Sequence, residues 1–274
     1  MNWKAFTIFA LSLFLAGCNQ KNTQNPENKE SQTTEINRGL ELVMKSLEQT
    51  GDYKMLRSKK DVVYTYSYTT PDGKTDVSTE KYIFDGELSY GKYETHERTF
   101  PQMEGAIEQS FDGTNYWLRH NGKLVSDTTA LKRVAFNRPT NFYWFAMFQK
   151  LTDPGLTYEY LGTQDLQNQS FDIVKISFES EEKPRDIYQV YINQETGLID
   201  QFLFTVAEFG MVETPLLMQV EYEEVEGLLI PSKRKYKRST WEAEVSDSPW
   251  IEVNWTDITF DNGLRPNEFN LSLK

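Results

Sequence analysis

The chain of 274 residues has one cysteine and two histidines. A lone cysteine excludes an internal disulfide, and so few Cys and His residues form no zinc-ligand pattern. The sequence contains no Gly-x-Ser-x-Gly elbow and no glycine-rich phosphate loop. Basic residues are also in short supply: 29 Lys and Arg stand against 41 Asp and Glu, a net charge of −12. A surface of that sign repels phosphate backbones, so nucleic acid is excluded as a partner. The one sustained apolar run, residues 5–15, is too short to span a bilayer, which takes about 20 residues.

That run follows Lys4 and ends in Leu15-Ala16-Gly17-Cys18. It has the shape of a signal-peptide core, and its last four residues resemble the lipobox of bacterial lipoprotein precursors. An ordinary secretory signal with an incidental Cys is the competing reading. The position of the only Cys in the chain favours the lipobox. The resemblance implies cleavage after residue 17 and lipid attachment at Cys18, which leaves no thiol for a metal or a nucleophile. Two or more acyl chains would anchor the protein stably in a membrane. Residues 18–34 are polar and contain no aromatic, so they read as a disordered tether holding the domain on the order of 20 Å from the bilayer. Asn19 is not the Asp that resembles an inner-membrane retention signal, and residues 20–23 lack an acidic run of the kind associated with surface export. The implied address is the cell envelope of a Gram-negative bacterium, on the outer membrane and facing the periplasm.

Residues 35–274 show no internal repeat or break in composition, and a length of this order suits one large β domain. Ile36, Leu40, Val43, Met44 and Leu47 make the stripe of an amphipathic helix, with Thr33 or Thr34 as N-cap and Gly51 as its stop. A strand begins near Asp61, with Val62, Tyr64, Tyr66 and Tyr68 on one face. Further strands cover residues 77–84 and 88–95, and a β segment follows at 109–119 around Phe111-Asp112-Gly113 and Tyr116-Trp117. Asn121-Gly122 is a hairpin turn before residues 123–126. Asp127 or Thr128 caps a helix to about Phe136, and Pro139 is expected to interrupt it. Residues 141–151 are apolar nearly all round, which predicts a buried helix lying across the apolar face of a sheet.

Strands resume at 156–163 and 171–179, and residues 187–238 then read as a β-meander. Within it Phe202, Phe204 and Val206 share one face and Ile199 and Leu203 the other. Leu216, Met218, Val220 and Tyr222 oppose Gln219, Glu221 and Glu223 in the same way. The basic run Lys233-Arg234-Lys235-Tyr236-Lys237-Arg238 is either an anionic-partner dock or, the favoured reading, an edge strand whose charges discourage pairing. The chain closes with residues 250–260, Asp261-Asn262-Gly263 and residues 269–273. His96 and His120 read as solvated side chains, and the acidic clusters at 179–182 and 221–226 as solvated faces without a calcium-loop pattern. No residue stands out as catalytic, no cofactor or metal is implied, and a carboxylate pair meeting only in space remains the residual enzymatic reading.

The order of elements resembles the periplasmic lipoprotein-carrier superfamily typified by LolA and LolB. The matching parts are the helix before the first strand, Phe111-Asp112-Gly113-Thr114-Asn115-Tyr116-Trp117 and Tyr191-Ile192-Asn193-Gln194-Glu195-Thr196-Gly197-Leu198. The step Gly227-Leu228-Leu229-Ile230-Pro231-Ser232 and the closing Ile258-Thr259-Phe260-Asp261-Asn262-Gly263-Leu264 with Phe269 complete the set. More narrowly, the chain resembles Bacteroidetes-type outer-membrane lipoproteins of that superfamily. The resemblance implies an α+β fold, a strongly curved antiparallel sheet forming a half-open barrel with helices over its concave face. It also implies a non-catalytic, membrane-anchored module that binds acyl chains or lipoproteins in a hydrophobic cavity. No residue matches the Arg that latches the lid in the carriers, nor LolB's protruding hydrophobic loop. Strand phase points to Tyr64, Tyr66, Phe142, Phe145, Phe148, Phe202, Phe204, Met218 and Val220 as cavity residues. The alternative is an interaction or envelope-sensing module with a closed core and an envelope-protein partner.

Overall fold

The computed structural model describes residues 37–51, 53–178 and 185–270, and the expected leader, Cys18 and tether lie outside them. Helix α1, Arg38–Gln49, is capped by Asn37, whose Oδ1 accepts from the Leu40 N–H at 3.1 Å. The cap is therefore Asn37 and not Thr33 or Thr34. The helix buries Gly39, Leu42, Val43, Ser46 and Leu47, leaving Leu40 and Met44 half-buried. It ends at Gly51 in a left-handed conformation, φ +100°, where a Cβ would lie 2.4 Å from the Gly227 carbonyl oxygen. Only glycine permits that approach, and beside it the Leu229 N–H donates to the Thr50 carbonyl at 2.7 Å.

After the short helix α2, Tyr53–Ser58, the chain runs through β1 Asp61–Thr69, β2 Thr75–Ile83, β3 Leu88–His96, β4 Ile107–Phe111, β5 Tyr116–His120 and β6 Lys123–Leu124. Helix α3, Thr128–Lys150, then crosses to β7 Leu156–Leu166, β8 Gln169–Phe178, β9 Tyr188–Asn193, β10 Ile199–Val206, β11 Met211–Val225, β12 Leu228–Arg238 and β13 Ile251–Phe260. All pair antiparallel in one unclosed sheet of order β6-β5-β4-β3-β2-β1-β13-β12-β11-β10-β9-β8-β7. Two meanders are thus joined where the last strand returns beside the first, with Tyr66 opposite Trp255. The join is fastened by Asp61, whose carboxylate accepts from the backbone N–H groups of Asn262, Gly263 and Leu264 at 2.7–3.0 Å. This is the curved antiparallel sheet, with a helix packed on it, that the sequence resemblance implied.

The motifs that carried the resemblance are turns between neighbouring strands. Asp112 Oδ1 accepts from the N–H groups of Thr114 and Asn115 between β4 and β5, and Asn193 Oδ1 from those of Glu195 and Thr196 between β9 and β10. Side chains of this kind mimic a backbone turn, which is why Asp and Asn stand there.

Three further expectations are corrected. Pro139 does not interrupt α3, which continues through it. The ring is exposed, the Thr140 hydroxyl donates to the Phe136 carbonyl at 2.7 Å, and burial of Val134 and Arg138 before the Pro and Phe142 after it holds both halves on the sheet. Packing outweighs the local cost of the proline. The basic run is not an edge strand, because β12 lies between β11 and β13. Lys233 and Lys235 pair across the outer face with Glu221 and Glu252, Lys237 lies over Trp250, and Arg234 and Tyr236 point inward. Ile199 shares the face of Phe202 and Phe204, not that of Leu203, since the ladder skips Asp200. A bulged residue reverses the alternation on one side of it.

Candidate ligand-binding groove

Helix α3 and the inner face of the sheet enclose two continuous apolar clusters. At the C-terminal half of the helix the interior is filled. Phe145 stacks on Tyr64 with ring centroids 4.7 Å apart and lies 4.9 Å from Trp255, while Phe142 meets Tyr82 edge-on at 5.3 Å. Such pairs add about 0.5–1.5 kcal/mol each beyond their buried area. Phe148 and Met147 pack with Leu47 of α1, Phe202 and Met218.

The same helix is tied to the sheet by a sealed ion pair. Arg138 Nη1 lies 2.8 Å from Glu80 Oε2, both side chains fully buried. Glu80 also accepts from the hydroxyls of Ser78 and Tyr82 at 2.7 and 2.9 Å. Gly91 in β3 leaves the room for this cluster, since a Cβ there would stand 2.6 Å from both Arg138 Nη1 and Glu80 Oε1. An arginine that fastens the helix to the sheet is therefore present. The sequence signal for it was Asn137-Arg138, two polar residues in a helix otherwise turning apolar.

Beside the middle of α3 the packing opens into a groove of about 460 Å³. Its floor is Tyr68 of β1, Phe204 of β10, Leu216 of β11 and Tyr236 of β12, and its helix wall is Phe136 and Trp144. Trp144 stands edge-on to Phe204 at 6.0 Å and to Tyr236 at 5.7 Å, and the Tyr68 and Tyr236 hydroxyls share a hydrogen bond of 2.6 Å. Phe209, in the turn after β10, packs 4.7 Å from Phe136 and is 56% exposed. At the strand β1–β3 side the groove carries Arg98 and Arg133. Arg98 lies 4.0 Å over the Tyr68 ring with Nε 3.3 Å from Asp76 Oδ2. Burial and the neighbouring Arg98 charge hold the Arg133 pKa below that of an ordinary arginine. On the β9–β10 side, burial raises the Asp186 pKa although its carboxylate accepts from the Ala207 N–H at 2.7 Å.

All nine residues chosen by strand phase are interior, from 1% exposure at Tyr64 and Met218 to 8% at Phe145 and Val220. The structure brings Tyr64, Tyr66, Phe142 and Phe145 together in one cluster and Phe148, Phe202, Phe204, Met218 and Val220 in the other. Of the nine, Phe204 alone lines the groove. Tyr68, Trp144, Tyr236 and the two arginines were missed as lining residues. Tyr68 was in phase with Tyr64 and Tyr66, but only the tertiary fold shows which end of β1 stays uncovered. Cys18 lies outside the described residues. His96 and His120 each place Nε2 against a backbone carbonyl, Gly105 at 2.8 Å and Glu104 at 2.6 Å. Among the described residues no group of three His, Cys, Asp or Glu could hold a metal ion, and no helix is long and apolar enough to cross a membrane.

No protein-family model matches the sequence, and no curated protein matches it. Among solved structures, a DUF1329 family protein from Desulfovibrio piger superposes with a TM-score of 0.51 at 11% identity, over 85% of this chain and 98% of that one. A LolA superfamily protein from Nitrosomonas europaea gives 0.49 at 10% identity, over 85% and 97%. A putative outer membrane lipoprotein-sorting protein domain from Vibrio parahaemolyticus gives 0.47 at 12% identity, over 85% and 96%. At such identities the similarity to the Desulfovibrio protein is one of fold.

Proposed function

We propose that this chain is a non-catalytic lipoprotein of a Gram-negative cell envelope, anchored through Cys18 to the outer membrane on its periplasmic side, that binds acyl chains of lipids or lipoproteins. The groove between α3 and the sheet carries this reading. It has aromatic walls on both sides, opens to solvent, and at about 460 Å³ falls within the roughly 300–1,000 Å³ of small-molecule sites. It also continues into the apolar interior through Phe204, so a tail that displaces side chains of the larger cluster stays out of water. The sequence resemblance and the names of the structural neighbours, among them a lipoprotein-sorting domain, favour the same class of ligand.

Native mass spectrometry of the purified full chain, followed by lipid extraction, tests the reading. A stoichiometric acyl ligand, or uptake of added fatty acid or phospholipid, is the expected result. A clean apo mass that refuses both overturns it. The second reading is a closed interaction module, favoured by the side-chain-filled interior under residues 142–151. It predicts the clean apo mass together with one defined envelope protein recovered by crosslinking.

A further inference from the structure

The charges around the groove do not balance where two arginines meet. Asp76, fully buried, is already satisfied: it accepts from the N–H groups of Arg98 and Thr99 at 2.9 and 3.2 Å, from the Thr99 hydroxyl at 2.7 Å, and pairs with Arg98. Arg133 has no carboxylate within 4.0 Å among the described residues. Its guanidinium rests 5.7 Å from the Phe136 ring centroid, at the groove wall. One buried carboxylate thus faces two guanidinium groups. The two acidic residues that line the groove, Asp186 and Glu208, stand on the β9–β10 side and form no ion pair with either arginine. Four other basic residues near α3 do pair with carboxylates: Arg138 with Glu80, Arg57 with Asp153, Lys150 with Glu87 and Lys59 with Glu226.

We propose that the groove selects an anionic single-chain amphiphile, a fatty acid, with its carboxylate against Arg133 and Arg98 and its tail along Trp144, Phe204 and Tyr236. This rests on the acyl-binding reading and adds the headgroup to it. A partly desolvated guanidinium gains most from a carboxylate, whose two oxygens match its planar donors. A hydrogen bond to a charged partner contributes about 1.5–3 kcal/mol, or roughly ten- to a hundredfold in affinity. An uncharged chain of equal length keeps the tail contacts and loses that contribution.

The test is calorimetric titration of the delipidated full chain with dodecanoate and, separately, with dodecanol. Dodecanoate should bind at least tenfold tighter, and the preference should weaken at high salt. In Arg133→Gln the dodecanoate affinity should fall to that of dodecanol while dodecanol is unchanged, and Arg133→Lys should keep most of the preference. Equal affinities in the native chain, which needs no variant, overturn the headgroup inference and leave acyl binding standing. Binding of neither compound overturns both. A preference that survives Arg133→Gln intact assigns the anion to another site and overturns the role of this residue.

Discussion

The two ends of the cleft beneath α3 are built from the same residue types and differ in how completely they are matched. At the closed end, aromatic rings fill the space between helix and sheet, and Arg138 is paired with Glu80. At the open end, rings line a groove without filling it, and of its two arginines Arg98 pairs with Asp76 while Arg133 has no carboxylate within 4.0 Å among the described residues. The face of α3 decides the difference: Val134, Arg138 and Phe142 are buried, while Arg133, Phe136, Thr140 and Trp144, interleaved with them, line the groove. Residues 145–149 are buried in succession, whereas Trp144 and Tyr143 are only half-buried. A side chain without enough partners at the end of a filled core is the mark of a site that expects another molecule.

The largest effect should come from unmatching the closed end. Arg138→Met leaves the Glu80 carboxylate buried without a cation, and breaking a buried pair from one side costs about 3–5 kcal/mol. Urea unfolding should show the midpoint falling steeply with an unchanged slope. Replacing both partners, Glu80→Leu with Arg138→Met, should recover part of the loss, since two apolar residues leave no uncompensated charge. A single variant as stable as the native chain would show that the pair does not hold the helix, and the contrast between the ends would collapse.

Adjacent residues offer the next comparison. Phe145 is surrounded by Tyr64, Tyr82, Phe84, Trp255 and Phe260, so Phe145→Ala leaves a cavity and should cost about 3–5 kcal/mol. Trp144, one position earlier, has the groove on one side of it, and Trp144→Ala should cost less than half as much. Its truncation should act on ligand uptake, and thermal unfolding with and without added fatty acid separates the two. Native stabilisation by ligand that persists in Trp144→Ala would place the ligand elsewhere.

How far the sequence reached follows from range. Alternation along β1 and β11 put the right side chains inside, because a two-residue period needs no knowledge of the fold. It failed at Ile199, where a bulge that pairing alone reveals inverts the phase. The turns at Asp112 and Asn193 are local as well, being chemistry within four residues. The Glu80–Arg138 pair and the Arg98–Arg133 encounter join residues 58 and 35 positions apart, and no local pattern distinguishes them from surface charges. The basic run on β12 misled for the same reason. Its lysines suit an edge, but they are matched by neighbouring strands and by Trp250.

The smallest expected effect on folding is the most informative about function. Arg133 and Arg138 stand five positions apart on one helix, and both are drawn partly or wholly from water. Arg138 is held by a carboxylate, whereas Arg133 lies near Arg98 and has no acid of its own. Arg133→Met removes a like-charge neighbour and keeps an apolar stem against Phe136. The folded chain should therefore change by no more than about 0.5 kcal/mol, in either direction. Measured beside Arg138→Met in the same urea series, it asks whether the second arginine serves the fold at all. A loss approaching that of Arg138→Met would make Arg133 a structural cation with an acidic partner still to be found. Near-neutrality, together with lost preference for the carboxylate ligand, would mark a charge kept at the groove for something other than stability.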